Sequence, residues 1–271
     1  FQTSVSNLNY KAKVTSSQGE SESSITGFSQ NFGVIYSFVE GQQLSFGSSY
    51  VNSESKVRSK RTSADIRTDV TGLGNLDLAY QGASELEYAD MFYGLSYNFK
   101  HQGKVIREAG VNQFEANAVQ AQNSWTPSIG IAMPTAINLT LGGDVSHTIK
   151  EDGDVRQELA SRESTTTKER QGNVTSIMGF LELDIEYLPF ISLRRTHYSE
   201  QVSETTASTL RSSGDAFEAD TVTVGATLPL SQNLRIEPRF SHTKYTYDDS
   251  SDFSISDAEQ TSLNVGLTLM F

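Results

Sequence analysis

Cysteine is absent from this chain of 271 residues, which excludes a disulfide framework, a thiol nucleophile and any thiolate metal site. Basic residues are in short supply: 21 Lys and Arg stand against 33 Asp and Glu. That balance excludes the basic face of a nucleic-acid binder and docking by charge onto an anionic membrane surface. An apolar run of roughly 18 residues, the length a transmembrane helix needs, occurs nowhere. The most apolar short stretch, 176–193, carries Glu182, Asp184 and Glu186 at every second place. No signal peptide opens the chain; Phe1-Gln2-Thr3-Ser4 reads equally as a processed N-terminus and as an arbitrary boundary. Proline is limited to five residues while Ser and Thr abound, a composition that suits strands joined by polar loops.

What the sequence has in abundance is a period of two. In the final stretch Leu263, Val265, Leu267, Leu269 and Phe271 fall on one face, and Asn264, Gly266, Thr268 and Met270 on the other. Val222, Val224, Ala226 and Leu228 alternate in the same way with Thr223, Gly225 and Thr227. Stretches 91–99, 129–133, 137–141, 181–186 and 32–38 repeat the pattern. A soluble barrel would keep its apolar set inside. Here the polar set is made of Gly, Ser, Thr and charges of both signs, which suits a wet lumen. The apolar set carries Tyr and Trp near strand ends, as interfacial girdles do, and Trp125, the single tryptophan, opens its strand.

Connections alternate between short and long. Tight turns are read at 40–43, 134–136, 187–189 and 230–233, and long polar connections at 101–123, 150–171, 203–220 and 248–260. A membrane barrel has this asymmetry between its two ends; a soluble sandwich has no reason for it. The predicted strands are 4–16, 24–39, 43–57, 73–82, 89–101, 124–134, 137–150, 171–186, 190–202, 217–229, 234–247 and 259–271, twelve in all. Gly72, Gly74 and Gly82 interrupt the fourth, so counts of ten and fourteen stay open. The fold class is all-β: one domain over 1–271, an antiparallel up-and-down transmembrane barrel with both termini on the short-turn side.

The last eight residues, Asn264-Val265-Gly266-Leu267-Thr268-Leu269-Met270-Phe271, resemble the C-terminal assembly signal of Gram-negative outer-membrane β-barrels. That signal reads polar, any, Gly, any, any, hydrophobic, any, aromatic or hydrophobic. The resemblance implies recognition by the barrel-insertion machinery through Asn264, Gly266, Leu269 and Phe271, residence in the bacterial outer membrane with periplasmic termini, and contact with outer-membrane lipid and lipopolysaccharide. Physically, closure requires the last strand to pair with the first, because lipid leaves no partner for an open edge. A second stretch, 71–81, is similar to the Gly-Leu-Gly-Asp-Leu segment of barrels grouped with aromatic-compound degradation and related to fatty-acid channels, with Asn75 in place of the Asp.

Strict alternation aims Lys11, Lys13, Asp77, Lys100, Asp144, Glu182, Asp184, Glu186, Arg194, Arg235, Glu237 and Arg239 into the lumen. A three-residue turn at 187–189 would pair Glu186 with Phe190, Asp184 with Ser192 and Glu182 with Arg194. These charges read either as a selective constriction or as a salt-bridge ladder that fills the lumen. Arg195 is aimed at lipid, where an arginine near the midplane costs about 2–4 kcal/mol. Either a bulge turns it inward, or it sits high enough to meet lipopolysaccharide phosphates.

His197-Tyr198-Ser199 is similar to the His-x-Ser of lipid A deacylases, with Glu200 where that family has Asn. A His and a Ser two apart share a strand face, but a Ser-rich β protein produces such pairs readily. His101, His147 and His242 have no evident catalytic partner. Carboxylates at 150–155 and 247–252 lack an EF-hand spacing and read as solvated loops, so neither a metal nor another cofactor is expected. The function expected is a narrow porin-like channel for passive passage of small polar or charged solutes. The alternative is a structural or interaction barrel with a filled lumen, whose extracellular loops bind an extracellular or periplasmic partner, and a lipid hydrolase comes third.

Overall fold

The computed structural model describes residues 1–16, 19–59, 65–99, 104–109, 112–117, 123–151, 153–158, 164–170, 172–199, 201–205, 211–214, 216–247 and 253–270. Among them there is no helix. Twelve strands form the wall: β1 (Gln2–Ser16), β2 (Gly19–Val39), β3 (Gln42–Ser59), β4 (Asp65–Glu85), β5 (Asp90–Phe99), β6 (Ser124–Pro134), β7 (Leu139–Lys150), β8 (Val174–Leu183), β9 (Pro189–Tyr198), β10 (Phe217–Ala226), β11 (Leu234–Tyr247) and β12 (Phe253–Leu269). Each pairs antiparallel with its neighbours in sequence, and β1 pairs with β12 from Gln2 opposite Thr268 to Ser16 opposite Phe253. The sheet therefore closes on itself and has no edge, as the predicted barrel requires.

The wall is built inside out. Among the described residues the buried hydrophobic positions are Ala12, Ala219 and Ala258, whereas Val34, Phe46, Leu78, Ile129, Leu193, Val265 and many other large apolar side chains are exposed. They share one strand face. The opposite face carries Ser4, Ser6, Asn31, Asp77, Ser241 and Asn264, which line one concave cavity and so identify the lumen side. Apolar exteriors of this kind are stable only against hydrocarbon.

Register also sets the tilt. A walk along paired residues leaves β4 at Gly82 and passes Tyr93, Ile129, Val145, Ile177 and Arg195. It continues through Asp220, Lys244, Glu259, Lys11, Ser24 and Lys56 and returns to β4 at Arg67, fifteen residues nearer that strand's start. Such a stagger corresponds to a tilt of about 40°, so each step toward Arg67 climbs about 3 Å along the barrel axis, and each residue along a strand spans about 2.5 Å of it.

Three expectations are corrected here. Strand β4 is twice the expected length, because a bulge absorbs its glycines: Leu73 pairs with Tyr50 and Leu76 with Ser48, leaving Gly74 and Asn75 against a single partner residue. A Cβ on Gly74 would meet the Ser49 hydroxyl at 2.2 Å, so a side chain there would require that hydroxyl to rotate away. In the β8–β9 hairpin Glu182 pairs with Phe190 and Met178 with Arg194, not Glu182 with Arg194. Strand β8 ends at Leu183; Asp184 N–H still donates to the Asn138 carbonyl of the adjacent turn, and Leu188 takes φ 35° at the close of a five-residue connection. The long connections are not plain loops. Strands Lys104–Ala109 and Asn112–Asn117 form a hairpin that pairs with β4, and Gly153–Glu158, Ser164–Arg170, Gln201–Thr205 and Arg211–Gly214 join into a separate four-stranded sheet.

Candidate functional site

The twelve-stranded wall has a backbone diameter of roughly 24 Å, from a strand spacing near 4.8 Å and the 40° tilt, which leaves roughly 10 Å once side chains from both sides are allowed for. Two cavities occupy it. One, of about 610 Å³, is lined by Asn31, Asp77, Glu237, Arg239 and Asn264. The other, of about 660 Å³, is lined by Glu182, Arg194, Thr196, Tyr198, Arg239 and Tyr245. They share Thr223, Arg239, Ser241 and Ser262, so they are continuous along the wall.

Of the predicted lumen charges, Asp77, Asp144, Glu182, Arg194, Arg235, Glu237 and Arg239 fall on the inner face. Asp184 and Glu186 lie beyond β8, exposed in the connection to β9. Lys100 lies outside the described residues, as do Phe271 and His101. Lys11 and Lys13 do not enter the lumen: their face of β1 is the outer one, opposite Ser24 and Glu22, and Lys13 binds Asp257 at 2.8 Å. The expectation failed there because Leu8, Tyr10 and Ala12, in phase with Ser4 and Ser6, supply the inner face at that end of β1, where Tyr10 meets Tyr245 of the lumen. In the tall upper wall, hydrophobicity no longer marks which side faces out.

The inner charges are arranged across the passage. Strand β4, carrying Asp77, lies six strands from β10, which is flanked by β9 with Arg194 and β11 with Arg239. By the climb per strand, Asp77, Asn31, Asn264 and Arg194 fall at nearly one height. Asp77 accepts a hydrogen bond from Asn98 Nδ2. Arg239 donates to Glu237 (2.7 Å) and lies over the Phe190 ring at 5.6 Å. That ring sits where Gly225 leaves room, since a Cβ there would be 2.7 Å from it. Arg194 donates to the Met178 thioether at 3.2 Å. A solute at this height meets the Asp77 carboxylate on one side and the Arg194 guanidinium on the other, with the Glu237-bound Arg239 about 4 Å nearer the short turns.

Two features of the lumen escaped the sequence reading. Hydroxyls pair across strands at 2.9 Å: Ser176 with Thr196, Thr221 with Thr243, Thr223 with Ser241, and Thr126 with Thr148. Above them an aromatic group lines one side of the mouth. Phe217 stacks between Tyr198 (4.2 Å) and Tyr247 (4.9 Å), and Tyr245 meets Tyr10 edge-on at 5.7 Å. The signal was present: Tyr245 and Tyr247 are in phase with Ser241 and Thr243, the polar set of their strand.

Outside, Arg195 is neither bulged inward nor alone. Register runs unbroken through it, and it holds Asp220 with two hydrogen bonds, 2.7 and 2.8 Å. Three steps down the paired row and four residues up β6 bring the same height to Trp125, which packs on Tyr97 at 4.1 Å and donates to Glu151. Phe28 and Tyr50, in contact at 6.4 Å, fall about 3–5 Å higher by the same climb. Arg195 therefore stands in the aromatic girdle, not in the hydrocarbon. His197 faces Glu218 at 3.9 Å, while the Ser199 hydroxyl donates to the Asn173 carbonyl at 2.9 Å. The arrangement of a nucleophile on its base is not formed.

No family model matches this sequence, and no curated protein does. Solved structures do match. An outer membrane channel from Pseudomonas putida F1 aligns with TM-score 0.65 and 10% identity over 100% of this chain and 94% of that one. The transport unit of the autotransporter AIDA-I from Escherichia coli aligns with TM-score 0.63 and 14% identity over 100% and 90%. A TodX monoaromatic hydrocarbon channel aligns with TM-score 0.55 and 10% identity over 100% and 90%. At such identities the likeness is one of fold, and the fold is that of the outer-membrane β-barrels, closed here with twelve strands.

Proposed function

We propose that this chain is a narrow outer-membrane channel for passive passage of small polar or charged solutes, with its short turns and both termini in the periplasm. The observation that carries the reading is the continuous lumen space bounded by Asp77 on one side and by Arg194 and Arg239 on the other. Opposed fixed charges across an opening of roughly 10 Å orient a dipolar solute and sort ions by sign and size. Resident cofactors have no part in such passage, and the separation of Ser199 from His197 favours a non-catalytic barrel. Asn264, Gly266, Leu269 and Phe271 would be read by the insertion machinery, and the outer surface near Arg195 would adjoin lipopolysaccharide.

Single-channel recording in planar bilayers under a salt gradient tests this reading. Discrete steps are expected, with cation preference reduced in Asp77→Asn and increased in Arg194→Gln. A silent bilayer containing verified folded barrel would sink it. The alternative, a scaffold with a closed lumen, is favoured by inner side chains tied to the wall: Asn31 to Ser4 (3.1 Å), Asn264 to Ser6 (2.5 Å) and Gln43 to Gln81 (2.5 Å). In that reading the long connections bind a partner protein and no current flows.

A further inference from the structure

We propose that the lumen wall around Arg194 is a binding site for a small hydroxycarboxylate, an acid whose body carries several hydroxyls. This deepens the channel reading and rests on a lumen open to solute. The argument begins with the guanidinium. Arg194 is exposed on the inner face, and the short contact it makes is to the Met178 thioether at 3.2 Å. A thioether is a weak acceptor and occupies one of five N–H donors, so the planar fork that matches a carboxylate is left facing the cavity. The other guanidinium of this cavity is engaged differently, by Glu237 and by the face of Phe190. Asp144 is near enough to act on Arg194 electrostatically, but it belongs to β7, two strands away.

The surroundings select the rest of the ligand. Along the 660 Å³ cavity, the pairs Ser176–Thr196, Thr221–Thr243 and Thr223–Ser241 bond to each other at 2.9 Å. A hydroxyl that donates to its partner still has lone pairs to accept with, and its partner has a proton to give. The less buried members, Thr221, Thr223 and Ser241, therefore present donors and acceptors at the spacing of adjacent strands, which suits a polyol. Tyr198 and Tyr245 close the top of the cavity with phenols whose rings are braced by Phe217 and Tyr10. The chain carries a net charge of −12, and the named inner-face groups, four carboxylates (Asp77, Asp144, Glu182, Glu237) against three arginines (Arg194, Arg235, Arg239), leave no positive excess there, so the lumen does not attract anions generally. An anion reaches this position for the bidentate contact at Arg194.

Isothermal titration of sodium gluconate into the full chain, folded in detergent micelles, tests the site without relying on conductance. Sorbitol supplies the hydroxyls without the carboxylate, and benzoate the carboxylate without hydroxyls. Saturable gluconate binding is expected, at least ten-fold weaker in Arg194→Gln, partly restored in Arg194→Lys, and stronger than either control. Retention of full affinity in Arg194→Gln, binding of sorbitol equal to gluconate, or tighter binding of benzoate would overturn the proposal. Bilayer recordings on the same preparations separate the two readings. A conducting barrel that gives no gluconate heat refutes the site and keeps the channel; a silent barrel that binds gluconate through Arg194 refutes the channel and keeps the site.

Discussion

Moving an arginine four residues down one strand tests the placement of the barrel in its membrane. Arg195 and Ile191 share the outer face of β9, and the native arginine sits at the height of Trp125 with Asp220 as its partner. Ile191, 40% exposed on the same face, lies about 10 Å lower along the axis. In an apolar band about 25 Å tall that is close to the midplane, where an arginine costs about 2–4 kcal/mol. Ile191→Arg should therefore shift the folding equilibrium by roughly 30- to 900-fold. Leu193→Arg, about 5 Å higher, should fall between this and zero. Thr223→Arg, which points into both lumen cavities, should cost less than about 1 kcal/mol because the charge stays in water. Guanidinium titrations of barrels folded into lipid vesicles, followed by the fluorescence of the single Trp125, provide the measurement. If Ile191→Arg and Thr223→Arg cost the same, or if Ile191→Arg is neutral, the inside and outside assigned to this wall are wrong.

The Arg195–Asp220 pair is largely exposed, at 64% and 51% of its side chains, so a double-mutant cycle with alanines should give a coupling of about 0.5–1 kcal/mol that shrinks in high salt; zero coupling at low salt would contradict the bidentate geometry. Gly225→Ala should destabilise the fold by about 1–3 kcal/mol, since its methyl would meet Phe190 at 2.7 Å and the Pro238 carbonyl at 2.8 Å. In lipids brominated at defined depths, Trp125 should be quenched most by bromine near the headgroups, and strongest quenching from the chain ends would displace the girdle from its assigned height. Glu182→Gln should alter conductance less than Asp77→Asn, because Glu182 pairs with Phe190 near the short-turn end and not with an arginine; a larger effect would move the constriction toward the turns.

How much was legible varied with what fixes each feature. Alternation in 263–271, 222–228 and 32–38 already specified strands with one face for lipid and one for water, because in a pleated strand the period of two is the backbone's own. The predicted strand spans numbered twelve with ten and fourteen left open, closure of the wall fixed twelve, and the inner positions of Asp77, Asp144, Arg194 and Arg239 followed from parity within the membrane-spanning part. Parity misled at Lys11 and Lys13, where the wall rises above the apolar band and water lies on both sides, so charge no longer reports direction.

Pairing between strands was the part the sequence could not settle. The β8–β9 register comes with a five-residue connection whose first residue, Asp184, bonds to the Asn138 carbonyl on a third strand's turn, and the bulge in β4 sets Gly74 and Asn75 against one residue of β3. The outer ladder of Arg195, Asp220, Lys244, Glu259 and Lys11 joins residues far apart in the chain, as does the group of Tyr10, Tyr198, Phe217, Tyr245 and Tyr247. By itself the sequence determined a barrel of ten to fourteen strands with an apolar outside and a charged inside, because side-chain direction is local and repeats every two residues. Only the closed tertiary structure decided which charges share a height, which guanidinium faces open space and which aromatic rings meet, because those depend on stagger accumulated around the whole circumference.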